Sequence, residues 1–339
     1  FRPSRQMYSF LMYFCIMIIV TGAAGFIGSC LVSFFNQKGY SNIIAVDDFT
    51  KVYKAENLHN KDIQEIVERD NLENWLELNG KNIDFIFHVG ARTDTTEFNQ
   101  ECLNKLNFEY TKMVWTKCIE YDIPIIFASS AATYGLGEYG FIDNHDIVKN
   151  LKPLNPYGES KNNFDKWALS QNKKPKFWTG LKFFNVYGPN EYHKSRMASV
   201  ILHLFNQINE CGKVSLFRSH NSNYANGEQK RDFIFVKDLL NIIFFLFSNK
   251  KHVDNGLYNV GTGKARTFND LAKALFNELK IPIDIDYIDT PSDIRDKYQY
   301  FTQADMSKLR KIGYNTEFTE LEDGISDYVK NYLTTSKYF

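Results

Sequence analysis

Tyr157 and Lys161 stand four residues apart in the run Tyr157-Gly158-Glu159-Ser160-Lys161, a spacing that puts a phenol and an ammonium on one face of a helix. A free phenol titrates near ~10, too high for a base at neutral pH. A neighbouring ammonium or other positive charge favours the tyrosinate and lowers that value. Ser130 closes the apolar run Pro124-Ile125-Ile126-Phe127-Ala128 and can hydrogen-bond the same substrate hydroxyl. Taken alone, Tyr-x-x-x-Lys is frequent and reads better as an exposed i,i+4 pair. The elements upstream of it favour catalysis.

The first of these is Ile18-Ile19-Val20-Thr21-Gly22-Ala23-Ala24-Gly25-Phe26-Ile27-Gly28. A β-branched strand runs into glycines spaced i, i+3, i+6, and an apolar helix follows over Phe26–Phe35. Gly22 suits a tight turn, Gly25 a close approach to a pyrophosphate, and Gly28 close helix–strand packing. The helix N-terminus then offers free N–H groups to the phosphates. Asp47, about 20 residues on at the end of a second strand (Asn42–Val46), is the acid expected to meet a ribose hydroxyl. Strands at Ile83–His88, Pro124–Ala128 and Phe177–Phe184 alternate with helices at Asn104–Tyr121 and Tyr157–Ser170. This alternation predicts an α/β doubly wound parallel sheet of the Rossmann type with a smaller α/β substrate-binding domain. The expected division is 17–184 plus 232–262 for the dinucleotide-binding domain and 185–231 plus 263–339 for the substrate domain. The chain is expected to rejoin the sheet near Phe233–Phe235 and Tyr258–Val260.

Composition narrows the partners. The 339 residues are 44% hydrophobic and 24% charged with zero formal net charge, which suits a globular protein and disfavours nucleic acid or a membrane surface. Five scattered cysteines without Cys-x-x-Cys spacing suggest reduced thiols, a cytoplasmic location and no metal site. The apolar run Tyr8–Val20 follows Arg2 and Arg5 like a signal peptide, yet its last residues are the first strand of the nucleotide fold. Residues 1–16 therefore read as an upstream extension.

Several blocks together resemble the extended short-chain dehydrogenase/reductase family of nucleotide-sugar enzymes, over nearly the whole chain from Met17 to about Tyr332. Within it the resemblance narrows to the ADP-heptose 6-epimerase branch. The blocks are Gly90-Ala91-Arg92-Thr93-Asp94-Thr95-Thr96-Glu97, Ala128-Ser129-Ser130-Ala131-Ala132-Thr133-Tyr134-Gly135 and Phe184-Asn185-Val186-Tyr187-Gly188-Pro189. Further on come His193-Lys194-Ser195-Arg196-Met197-Ala198-Ser199-Val200 and Tyr298-Gln299-Tyr300-Phe301-Thr302-Gln303-Ala304-Asp305. The resemblance implies epimerisation at C6″ of an ADP-heptose through a 6-keto sugar. Tyr157 and Lys194 are the implied acid/base groups, Ser130 orients the hydroxyl, and Lys161 also grips the nicotinamide ribose. It implies NADP, with Lys54 and Arg69 meeting the 2′-phosphate, although Asp47 and Asp48 are acids that suit NAD. Further cofactor contacts implied are Phe26, Ile27, Val89, Gly90, Ala91, Arg92, Thr93, Asn107, Val186 and Lys194. For the ADP-sugar they are Ser130, Asn185, Arg196, His203, Phe217, Arg218, Ser219, His220, Arg231 and Tyr298. Arg231 is also persuasive physically, because a planar guanidinium binds a diphosphate bidentately. His203, on the apolar helical stretch Val200–Phe205, reads without the family as a satisfied core histidine. A homo-oligomer is implied as well.

Two rivals share part of this pattern. A UDP-sugar 4-epimerase or a dehydratase shares the glycines, but a dehydratase usually carries an Asp-Glu pair where Ala131-Ala132-Thr133 follows Ser130. A dinucleotide-binding scaffold without catalysis typically loses the tyrosine or lysine, and both are present.

Overall fold

The computed structural model describes residues 16–339 apart from Thr96, Phe98, Asp296 and Lys297. The expected upstream extension, Ile16 excepted, and Thr96 of the Thr95-Thr96-Glu97 block lie outside the described residues. Along the chain the strands are β1 (Ile18–Thr21), β2 (Ile43–Asp47), β3 (Glu65–Glu68), β4 (Phe85–His88), β5 (Ile125–Ser130) and β6 (Trp178–Phe183). They continue as β7 (Asn185–Tyr187), β8 (Val214–Phe217), β9 (Lys230–Phe235), β10 (Gly256–Val260), β11 (Ala265–Thr267) and β12 (Ile285–Ile288). Seven of them form one parallel sheet in the order β10-β6-β5-β4-β1-β2-β3.

Burial on both faces explains the unbroken apolar runs in these strands. Successive residues point to opposite faces and join two different cores. Ile18, Val20, Phe85, Phe87 and Ile126 pack into one. Ile19, Ile86, Ile125 and Phe127 pack into the other, with Trp115, Phe164 and Trp178. Strand β3 gave no clear signal because three of its four residues are exposed at the sheet edge. The strand order reverses beside β1, which pairs β4 on one side and β2 on the other. A ligand crevice belongs at that switch point, beyond the carboxyl ends of the strands.

One expectation needs correcting. Phe233–Phe235 does not rejoin the main sheet; β9 lies in a separate three-stranded sheet, parallel to β7 and antiparallel to β11. The place beside β6 is taken by β10, whose five residues are all buried. Asp232 holds β9 where it is, accepting hydrogen bonds from the N–H groups of Thr262 (2.7 Å), Gly263 (2.9 Å) and Ala304 (3.0 Å). Strands β8 and β12 form a second small sheet.

One buried and two half-buried histidines should make the fold sensitive to acid. His88, at the end of β4, is 1% exposed and sits between the hydroxyls of Thr21 (2.7 Å) and Thr111 (3.0 Å). Burial, then the Lys161 charge, lowers its pKa to about 3, and burial lowers those of His145 and His193 to about 4. The unfolded chain binds these protons near ~6.5 and the folded chain does not, so stability present above that pH is lost as pH falls toward 4. We expect the melting temperature to decline progressively across this window, with a shallower decline in His88→Asn. An identical slope in the variant would contradict a neutral His88.

Candidate active site

Thr21 leads into Gly22, whose φ of 68° favours glycine. A Cβ there would sit 2.5 Å from Gly90 Cα, and one on Gly28 would land on the Gly22 carbonyl oxygen. Helix α1 (Phe26–Gln37) starts from Gly25 with no side-chain cap and no acid in its first turn. Its first N–H groups therefore remain available to an anion. This cradle fits the pyrophosphate of a dinucleotide.

Asp47, at the end of β2, accepts hydrogen bonds from Ala24 N (2.9 Å), Asp48 N (2.7 Å) and Lys54 Nζ (2.6 Å). Asp48 accepts from Thr50 Oγ1 at 2.5 Å and lies 3.7 Å from Arg69. The Thr50 hydroxyl, helped by the Arg69 charge, holds the Asp48 carboxyl below the usual range. Arg69 also pairs with Asp70 at 2.9 Å. Both cations expected at the ribose end are thus present, and each already faces an acid.

After β4 the chain runs through Val89, Gly90, Ala91, Arg92 and Thr93. Asn107, in a π-helical stretch (Asn104–Glu109), clamps this loop by bonding both Arg92 N (2.8 Å) and Arg92 O (2.9 Å). Its amide also reaches Ser160 Oγ at 3.0 Å, on the helix that carries Tyr157. The Arg92 side chain turns to Glu97 (3.2 Å) and Asp94 (3.8 Å). Asn107 is buried and its polar atoms are engaged within the protein, so its evident part is to position the loop.

Tyr157, Lys161, Ser130, Lys194, Asn185 and Val186 line one cavity of about 280 Å³, together with Phe26, Ile27, Val89, Ala91 and Thr93. Helix α2 (Pro156–Ser170) is started by Asn155, whose side chain accepts from Gly158 N at 2.8 Å, with Pro156 in the first turn. Tyr157 is 9% exposed; burial pushes its hydroxyl pKa up and a hydrogen bond with Ser130 opposes the shift. Lys161 is 4% exposed and donates to Ala128 O at 2.9 Å. Burial lowers its pKa to about 8, so it is still mainly an ammonium at pH 7.

Lys194 enters the cavity from the turn Tyr192–Met197, in which Ser195 has a φ of 46°. Burial lowers the Lys194 pKa and Glu191 opposes that shift. Glu191, which the sequence reading missed, fastens both ends of this loop. It accepts from Ser199 N (2.5 Å), Ser199 Oγ (2.6 Å) and Tyr328 Oη (3.1 Å). Asn57, also missed, joins the glycine loop to the same segment through Ala24 O (2.9 Å), Asn190 O (3.1 Å) and His193 Nδ1 (3.1 Å).

Of the other expected sugar-nucleotide residues, Arg231, Tyr298, Phe217 and His220 form a second group. Arg231 is 8% exposed, its guanidinium lies 5.4 Å from the Tyr298 ring and 5.6 Å from the Phe268 ring, and Phe217 packs on Tyr298 at 6.2 Å. Its bonds go to the carbonyls of Lys230 and Gln299, and among the described residues it is in no ion pair. Two residues along β9, Phe233 lines the cavity, so the strand's alternation turns both toward one side. Ser219 and His220 belong to an adjoining loop, with His220 N bonded to Tyr300 Oη at 3.1 Å. Arg218 points to Asp289 at 3.5 Å, and Arg196 lies outside the cavity lining. His203, half-buried on α3 (Val200–Cys211), reaches Arg196 O at 3.4 Å.

Residues 18–261 match the model of the NAD dependent epimerase/dehydratase family. The chain belongs to this family. Its curated relatives include the ADP-L-glycero-D-manno-heptose-6-epimerase of Fusobacterium nucleatum, 46% identical over 94% of this chain and 98% of the relative. The enzyme of that name from Nitratidesulfovibrio vulgaris is 46% identical over 94% and 99%. Among solved structures, the Helicobacter pylori ADP-L-glycero-D-manno-heptose-6-epimerase superposes with a TM-score of 0.76 at 30% identity, covering 94% of this chain and 96% of that one. A UDP-glucose 4-epimerase from Thermotoga maritima, 24% identical with a TM-score of 0.77 over 95% of this chain and all of its own, shares the fold. Membership of the NAD dependent epimerase/dehydratase family supports a nicotinamide dinucleotide as the cofactor. Among the described residues, no helix of this family member is long and apolar enough to cross a membrane.

Proposed function

We propose that this chain epimerises C6″ of ADP-D-glycero-D-manno-heptose to the L-glycero configuration, a step toward heptose-containing lipopolysaccharide. The observation that carries the reading is the convergence of Tyr157, Lys194, Ser130 and Lys161 on one cavity beside the dinucleotide cradle. The 46% identity to curated ADP-heptose epimerases over nearly full length supports the choice of sugar.

A nicotinamide dinucleotide held by the Gly22–Gly28 turn and the start of α1 would supply a reversible hydride acceptor for C6″. The chain's own residues handle the proton. Tyr157 Oη exchanges the hydroxyl proton on one face, Ser130 Oγ orients that hydroxyl, and the Lys161 ammonium favours the tyrosinate. Lys194, with its pKa lowered by burial, is the acid/base group for the opposite face. Arg231, buried and without a carboxylate partner among the described residues, takes the substrate diphosphate, and the Tyr298–Phe217 pair packs nearby. The enzyme acts as a cytoplasmic homo-oligomer in this reading. Run in heavy water, the reaction should leave the C6″ hydrogen free of solvent deuterium; deuterium at C6″ would overturn the oxidation–reduction route.

NADP is the proposed dinucleotide, with Lys54 and Arg69 as the cations for its 2′-phosphate. Asp48 works against it, through its own charge and by holding Arg69. Asp48→Asn should therefore tighten NADP by roughly tenfold and leave NAD within about twofold, measured by calorimetric titration. Tighter NAD with unchanged NADP would favour NAD as the natural cofactor.

A further inference from the structure

Tyr157, Lys161 and Asp165 occupy positions i, i+4 and i+8 of α2 and so share one face of the helix. Only the first two belong to the chemistry proposed above. Asp165 is 0% exposed, and its Oδ2 accepts from Lys182 Nζ and from Ser129 Oγ, each at 2.7 Å. Lys182, on β6, is equally buried and donates to Thr133 Oγ1 at 2.7 Å, with its ammonium 5.0 Å from the Tyr134 ring. Thr133 Oγ1 in turn donates to Ser130 O at 2.8 Å. The network therefore touches the residue before Ser130, the Ser130 carbonyl and the turn that follows it.

A buried ion pair is a weak source of stability, because removing both charges from water offsets much of their attraction. Among the described residues the second oxygen of Asp165 has no hydrogen-bond partner, so the arrangement is not one that maximises bonding. Its placement has a clearer consequence. It ties the helix that carries Tyr157 and Lys161 to the strand end that carries Ser130, from a water-free position where charges act over longer range.

Resting on the reading of Tyr157, Lys161 and Ser130 given above, we infer that Asp165 and Lys182 are positioning residues for that trio. They lock α2 against β5 and balance the charge beneath Tyr157. The titratable groups facing the pair are Tyr157 and Lys161 on α2, Tyr134 on the turn after β5, and His145. Beyond Lys161 lies His88, and Lys194 and Glu191 face Tyr157 across the shared cavity. The Asp165 charge disfavours the tyrosinate and favours the Lys161 ammonium, directions that agree with this placement.

The test compares Asp165→Asn, Lys182→Met and the double variant, each with and without Tyr157→Phe. Ultraviolet difference spectra between each protein and its Tyr157→Phe counterpart report ionisation of Tyr157 without any substrate. About 12 Å of helix separates Tyr157 from Asp165, so removing one charge should move the midpoint by about one pH unit. The midpoint should fall in Asp165→Asn, rise in Lys182→Met and return near the starting value in the double variant, with the turnover profile following. Unmoved midpoints, or shifts of the same sign in both single variants, would overturn the inference. Should one single variant fail to fold, the other decides by the sign of its shift: a fall in Asp165→Asn or a rise in Lys182→Met supports the pair, and an unmoved or opposite midpoint overturns it. Absence of turnover in the unmutated protein would instead count against the reaction, and the titration would still judge the pair.

Discussion

Replacing Tyr157 with phenylalanine should lower turnover by roughly a thousandfold or more while leaving melting temperature and dinucleotide affinity almost unchanged. A positioned acid/base group contributes about 10²–10⁴-fold, and in the proposed mechanism Tyr157 also holds the hydroxyl together with Ser130. The ring fills its buried place with or without the hydroxyl, so little packing is lost. Because burial raises the tyrosine pKa in the free protein, the residue is protonated at neutral pH before ligands bind. The ammonium of Lys161 and the charged ring of the oxidised cofactor must then lower it, and turnover should rise with pH over the range in which the tyrosinate forms. A thousandfold loss accompanied by loss of the cofactor would place Tyr157 in binding rather than in proton transfer. Turnover within about tenfold of the unmutated protein would remove it from the mechanism.

Gly28→Ala should weaken dinucleotide binding by about 10–100-fold and also lower the melting temperature. The added methyl would land on the Gly22 carbonyl oxygen, with Ala23 Cα 3.0 Å away, so backbone rather than a side-chain tip has to yield. Such overpacking typically costs about 1–3 kcal/mol, which corresponds to this range of affinity if the displaced turn is the one that holds the pyrophosphate. Gly39→Ala is the contrast: its φ of 87° strains the backbone, but no heavy atom lies within 4 Å of a Cβ there, so it should lower the melting temperature and leave dinucleotide affinity unchanged. Fluorescence titration of both variants with the reduced dinucleotide checks this. Equal affinities would contradict the cradle.

The legible parts of the sequence were those where local chemistry and tertiary role coincide. The glycine spacing after Ile18–Thr21, the serine closing β5 and the Tyr157–Lys161 pair each carry their own geometric reason, and the fold brings them to one crevice. Elements set by competition for space were harder to read. Phe233–Phe235 is apolar enough for the main sheet, but β10 occupies the free edge, and the Asp232 carboxylate fixes β9 elsewhere through groups 30 to 72 residues away. Long-range partners also hid Glu191 and Asn57, whose roles depend on contacts across up to 137 residues. Asp165 was within reach, since it repeats the i,i+4 step that joins Tyr157 to Lys161.

The most direct measurement is to incubate the purified protein with ADP-D-glycero-D-manno-heptose, adding no cofactor, and to resolve the C6″ epimers by NMR, with UDP-glucose as the control substrate. The expected result is interconversion of the heptose epimers, no change in UDP-glucose, and a nicotinamide dinucleotide released from the denatured protein. No conversion of the heptose even after NADP and NAD are both supplied, or epimerisation of UDP-glucose instead, would contradict the assignment.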